Sequence, residues 1–173
     1  MTDTSPNGHS TASPDRPDVK PPLTAHRAVS VCAREFASVC DAVVQGVMSL
    51  HANGLAEKPA VRQAPGRSII QLGPVAATVA WLRDSSGVIE AGELLVIVWR
   101  GAVAPRGEHI PERATVRSAS APTVLWEQAL GPVATSEASW RWRPHGQDGD
   151  GYTSAEVAAE SLERLRLAYV AAQ

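Results

Sequence analysis

The chain has 173 residues, with 16 Lys and Arg against 18 Asp and Glu, a formal net charge of −2 and two cysteines. A folded part of about 150 residues buries roughly 70% of the surface its unfolded chain exposes, so stability requires neither disulfides nor a metal. No overall positive field draws nucleic acid or an anionic membrane, and no apolar run approaches the roughly 18 residues of a membrane span.

Residues 1–23, MTDTSPNGHSTASPDRPDVKPPL, are rich in Ser, Thr, Pro and Asp. They bury too little to offset their ordering entropy, which predicts a disordered tail ahead of a single α+β domain at 24–173. No basic start leads into an apolar core, so no secretory signal is expected and a cytoplasmic location is the default. Of the 16 basic residues only Lys20 and Lys58 are lysines. With abundant Ala, Val and Pro, that bias points to a GC-rich bacterial genome rather than to a binding function.

In chain order, Thr24 is placed to cap a first helix. Val29, Cys32, Phe36, Val39, Cys40, Val43, Val47 and Leu50 then recur at three- and four-residue steps. The helix is expected to stop at HANGL, with Gly54 at the left-handed position and Leu55 folding back. Cys32 and Cys40 would lie about 12 Å apart along such a helix, beyond the roughly 7 Å between Cα atoms that a disulfide tolerates. Residues 56–66 read as a linker with two prolines.

Strands follow at Arg67 to Leu72, Val75 to Arg83 and Glu93 to Arg100, with a turn at DSSG, 84–87. Residues 101–122 show no pattern. Thr123 to Leu130 and Glu137 to Arg143 then read as two strands joined by the loop 131–136. The last helix carries a capping box, Thr153 with Glu156, and a hydrophobic staple, Tyr152 with Val157. Its buried stripe is Ala158, Leu162, Leu165 and Tyr169, with Glu160–Arg164 and Glu163–Arg166 on the wet face.

A helix, several closely spaced strands and a final helix predict an antiparallel sheet of four to five strands with both helices on one face. Val75–Leu82 and Leu94–Trp99 are apolar on both faces, so the second face of the central strands needs a cover: the 101–122 segment, a second copy, or a ligand.

Chemistry is sparse. Residues 147–160, QDGDGYTSAEVAAE, suggest a calcium loop, but placing Gly151 at its sixth position puts Gly146 at the first and Val157 at the twelfth, where oxygen ligands belong. The better reading is a polar turn leading into a capped helix, without metal or cofactor. No nucleophile elbow or phosphate loop is present, and both cysteines sit on an apolar stripe. The long connection holds Arg106, Glu108, His109, Glu112, Arg113 and Arg117, which could serve as acid, base and anion clamps; a solvated loop is the plainer reading.

Five Trp stand against one Phe and two Tyr, and all five fall in expected strands. Trp99-Arg100 and Trp140-Arg141-Trp142-Arg143 set interface-prone residues side by side, although core packing is the first explanation for an apolar strand position. The residues together indicate a non-enzymatic binding or accessory module, a homodimer or a subunit of a larger complex, with Trp99, Arg100, Arg106, Glu108, His109, Arg113, Trp140 and Trp142 as candidate contacts. Its expected partner is a protein or a second copy. The rival readings are a small-molecule enzyme with a pocket under residues 101–122 and, against the charge balance, a nucleic-acid-binding regulator needing Arg100, Arg117, Arg141 and Arg143 on one surface.

Overall fold

The computed structural model describes residues 25–83, 86, 88–103, 121–136 and 139–173. The expected tail at 1–23, the cap Thr24, most of the turn at 84–87 and residues 104–120 of the long connection lie outside these. In chain order the elements are α1 (Ala25–Ala52), β1 (Ala60–Ala64), β2 (Arg67–Leu72), β3 (Val75–Leu82), a 3-10 turn at Ile89–Ala91, β4 (Glu93–Arg100), β5 (Thr123–Ser136), β6 (Ser139–Pro144) and α2 (Ser154–Val170).

All six strands form one antiparallel meander in sequence order, one strand more than the four to five expected. The extra strand is β1, which lies in the stretch read as a linker. Its five residues are all exposed, so its sequence carries no apolar alternation. Backbone pairing with β2, from Ala60 opposite Gln71 to Ala64 opposite Arg67, holds it in place.

A second difference lies in β5, which runs straight through the expected loop at 131–136. Pro132 is tolerated there for a specific reason. Trp142 lies opposite Pro132 but exchanges both of its backbone hydrogen bonds with Tyr152, at 2.8 and 2.7 Å. Pairing of β5 with β4 has already ended at Leu130 opposite Leu94. The proline's missing N–H therefore leaves no gap in either ladder.

One face of the sheet carries the core. Ile70 and Leu72 of β2, Ala77 and Val79 of β3, Leu94, Val96 and Val98 of β4, Leu130 of β5 and Trp140 and Trp142 of β6 are buried against both helices. Burying each aliphatic side chain of this kind contributes about 1.5–3 kcal/mol. From α1 the core takes Ala28, Val31, Cys32, Val39, Cys40, Val43 and Val47, and from α2 Val157, Ala158 and Leu165. The expected stripes supply much of this core, but Val29 is exposed and Phe36, Leu50, Leu162 and Tyr169 are half-buried, while Val31 and Val157 join from outside them. The helices meet closely where Gly46 faces the Leu162 side chain, which occupies the space a Cβ would need.

Trp142 joins the layers. Fully buried, it meets Trp81 edge-on with ring centroids 5.9 Å apart and donates from Nε1 to Ser154 Oγ at 2.9 Å. Ser154 donates onward to Glu35 Oε2 at 2.8 Å. One polar chain therefore links β6, α2 and α1. Gly151 lies against the same residue: with φ +70, a Cβ there would come within 2.8 Å of the Trp142 carbonyl oxygen, which leaves glycine as the fitting residue.

Helix ends follow the sequence grammar. Leu55 N–H bonds Leu50 O and Gly54 N–H bonds His51 O, both at 2.9 Å, with Gly54 at φ +69; this is a Schellman stop. At α2 the Thr153 hydroxyl accepts from the Glu156 N–H at 3.2 Å, and Thr153 N–H donates to Glu156 Oε2 at 2.7 Å. Arg164 pairs with Glu160 and Arg166 with Glu163 as the spacing indicates.

On the sheet's other face, Ile69, Ala76, Thr78 and Ala80 are buried, so β3 is enclosed on both sides as its composition requires. Small residues on β3 lie between larger ones on β2 and β4, and the Trp99 indole donates across to Thr78 Oγ1 at 3.1 Å.

Two measurements test these assignments. Ser68 Oγ is buried with no hydrogen-bond partner among the described residues, a state that costs about 1–3 kcal/mol. Ser68→Ala should leave stability unchanged or raise it by about 1 kcal/mol in urea unfolding; a loss of that size would mean the hydroxyl has a partner. Separately, the Thr153 hydrogen bonds hold the Glu156 carboxyl below its ordinary range. A depressed folded-state value adds stability above the unfolded value of about 4.3, and that contribution is lost as pH falls through the folded value. The melting-temperature advantage of wild type over Glu156→Gln should therefore be complete at neutral pH and vanish in acid.

Candidate functional site

The residues singled out in the sequence do not converge. Trp140 and Trp142 are buried under the helices. Trp99 lies half-buried on the opposite face, bonded to Thr78. Arg100 is exposed at the end of β4, on the helix side. Arg106, Glu108, His109 and Arg113, with Glu112 and Arg117, lie outside the described residues. The start of their segment is fixed, however. The Gln71 side chain donates to Gly73 O, Val75 O and Gly101 O at 2.7, 2.9 and 3.2 Å. It also accepts from Val103 N–H at 3.2 Å.

An accessible concavity does lie between α2 and β5. It arises because α2 packs on β3, β4 and β6 and leaves the first half of β5 uncovered. Two hollows follow one another along this seam. The first, about 540 Å³, is lined by Gln128, Tyr152, Val157, Ala159 and the carboxylate-bearing Glu156 and Glu160. The second, about 270 Å³, is lined by Val98, Leu125, Trp126, Leu167, Ala168 and Ala171, with Arg100 and Arg164.

The second hollow is the more informative. Leu125 and Leu167, both in its lining beside Trp126 and Val98, are 41% and 47% exposed. Scattered apolar residues on a surface need no explanation, but a contiguous group lining a groove marks an interaction surface. Arg164 lies over the Trp126 ring at 5.7 Å while bonded to Glu160 at 2.7 Å, so the groove has a fixed floor and a charged margin. Its acidic residues gather at one end and Arg100 stands at the other.

This groove was not singled out by its sequence, although two signals exist. Val124-Leu125-Trp126 sets three apolar residues in a row, which a strand with one wet face does not require. A bulge explains it: Val98 pairs with Trp126 and Trp99 with Val124, so Leu125 is the extra residue. Leu167 and Val170 lie off the buried stripe of α2.

Acid–base groups are dispersed. His145 Nε2 lies 3.4 Å from Glu93 Oε2 with both side chains solvated, beside a hollow of about 310 Å³ that also reaches Arg143 and Asp148. An exposed pair of this kind is a weak contact. Among the described residues no group of three or more His, Cys, Asp and Glu could hold a metal ion, and no helix is long and apolar enough to cross a membrane. Comparison with family models, curated proteins and solved structures finds no match to this chain.

Both thiols are buried and unpaired. Burial pushes Cys32 up to about 12 against the opposing pull of Arg83, and burial followed by the Asp41 charge pushes Cys40 up to about 12. A thiol kept neutral is a poor nucleophile. At about pH 8 the folded protein should react with an aromatic disulfide reagent about 100-fold more slowly than the unfolded chain. Rapid stoichiometric labelling of native protein would show that one thiol is open to solvent.

Proposed function

We propose that this chain is a non-enzymatic binding module that recognises a polypeptide through the groove between α2 and β5. The observation that supports this reading is the pair of exposed apolar side chains along that groove, Leu125 and Leu167, backed by the anchored ring of Trp126. Desolvating an aromatic and several aliphatic groups in a concave site is how a small number of residues supplies most of a protein–protein affinity. Arg100, the candidate contact from the sequence that lies here, provides charge at the rim. Charge at such a position acts on association rate and orientation more than on affinity.

Leu125→Asp and Leu167→Asp test the reading, because both side chains are exposed and their replacement should move the melting temperature little. Affinity purification from the source cells would compare wild type with each variant. A partner counts only if either variant depletes it at least about tenfold and it rebinds the purified wild-type chain with a micromolar Kd or better. Capture unaffected by both substitutions would overturn the assignment of the groove.

A further inference from the structure

We propose that two copies of this chain join edge to edge through the open half of β5, residues 123–128, as one continuous sheet across a two-fold axis. This names the occupant of the groove and so rests on the reading of the groove as a polypeptide-binding surface.

The first observation is an unpaired edge. Thr123 to Leu130 of β5 pair with β4 on one side, while β6 pairs only with Leu130 to Ser136 on the other. Among the described residues, 123–129 have no strand on the β6 side. The direction of the backbone groups follows from hydrogen bonds elsewhere. Gly101 N–H bonds Pro74 O at 2.7 Å, so the odd-numbered residues of β4 face β3, and Leu94, Val96 and Val98 face β5. Their partners Leu130, Gln128 and Trp126 face back. Peptide groups alternate along a strand, which leaves Glu127 and Ala129 aimed at the open edge. The Trp142–Tyr152 pairing gives the same parity from the other end of β5.

The register is narrowly set. Because β6 ends at Pro144 opposite Leu130, a second strand fits only beside 123–129. An antiparallel pairing about an axis between Leu125 and Trp126 stays within that window. It sets Thr123 opposite Gln128, Val124 opposite Glu127, and Leu125 opposite Trp126. In a regular strand residues 124 and 127 would fall on opposite faces, and the pairing would fail. The bulge at Leu125 corrects this: Val124 and Glu127 pair with Trp99 and Ile97 of β4, both on the outer face. Leu125 and Trp126 both line the groove on the helix side.

Charge favours a second copy as occupant. Glu156 and Glu160 stand at one end of the groove and Arg100 at the other. A half-turn brings the Arg100 end of one copy toward the carboxylate end of the other, so the surface is its own complement. The same rotation lays the exposed Leu125 of each copy against Trp126 of the other, between two Leu167 side chains.

Light scattering should give twice the chain mass at about 100 µM, and cysteine pairs should report the register. Opposite residues in an antiparallel pair lie about 5.5 Å apart at Cα, within the roughly 4.4–6.8 Å a disulfide needs. The double variant Val124→Cys/Glu127→Cys should therefore cross-link two chains on oxidation, while each single variant should not; the buried native thiols do not compete. Glu127→Pro removes only an outward N–H, so it should retain the wild-type circular dichroism spectrum and become monomeric. A monomer at about 100 µM, equal cross-linking by the single variants, or a dimer that survives Glu127→Pro would each overturn the proposal. A monomer that still captures a polypeptide dependent on Leu167 would overturn the dimer alone and leave the groove reading standing.

Discussion

The burial of Trp142 is the constraint on which the rest of the structure depends. Its indole lies under both helices, its Nε1 is bonded to the first residue of α2, and its backbone bonds Tyr152 on one side. A buried indole N–H without a partner would cost about 1–3 kcal/mol, so the position of Ser154, and with it the start of α2, is tied to β6. Ser154 then passes the connection to Glu35 in α1. The capped turn at 149–153 follows from the same requirement. The chain must reverse from β6 and return beside it within a few residues, and glycines at 149 and 151 with positive φ permit the reversal.

Fixing α2 in this way also leaves something uncovered. A helix laid over β3, β4 and β6 cannot shield the first half of β5, and β5 is longer than either of its neighbours. One half pairs with β4 and the other with β6, like two planks overlapped on a third. The seam beside α2 and the open edge are therefore products of strand length rather than of any local peculiarity. What is particular to this chain is that apolar side chains stand there, where Lys or Pro would blunt an edge.

Legibility in the sequence followed burial. Both helices, the centres of their buried stripes, the capping box and the glycine stop are readable, because each depends on residue types at fixed local spacing. The same holds for β2, β3 and β4, whose apolar density requires enclosure. β1 was not readable, since a strand with five exposed side chains is held by its neighbour's backbone and leaves no pattern. Gly131-Pro132 reads as a loop because proline normally interrupts a ladder, and only the tertiary arrangement shows that neither neighbour needs its N–H. The groove was hidden for a related reason. A sequence shows which side chains are apolar, but which of them stay uncovered depends on where a distant helix comes to rest. Trp140 and Trp142 read as contacts because Trp and Arg alternate there, an alternation that the buried and outer faces of an edge strand also produce.

The close meeting of α1 and α2 at Gly46 and Leu162 has a consequence for how the protein comes into being. The first helix finds its main contact in an element made after all six strands, more than a hundred residues later. During synthesis the meander can form strand by strand, each new strand pairing with the one before it. Its helix-facing side, however, stays without α2 until residues 154–170 have emerged. A chain stopped before residue 154 would hold a nearly complete sheet with Leu94, Val96, Trp142 and the inner side of α1 open to water. Such a species is prone to aggregate, so the C-terminal helix closes the fold in time as well as in space.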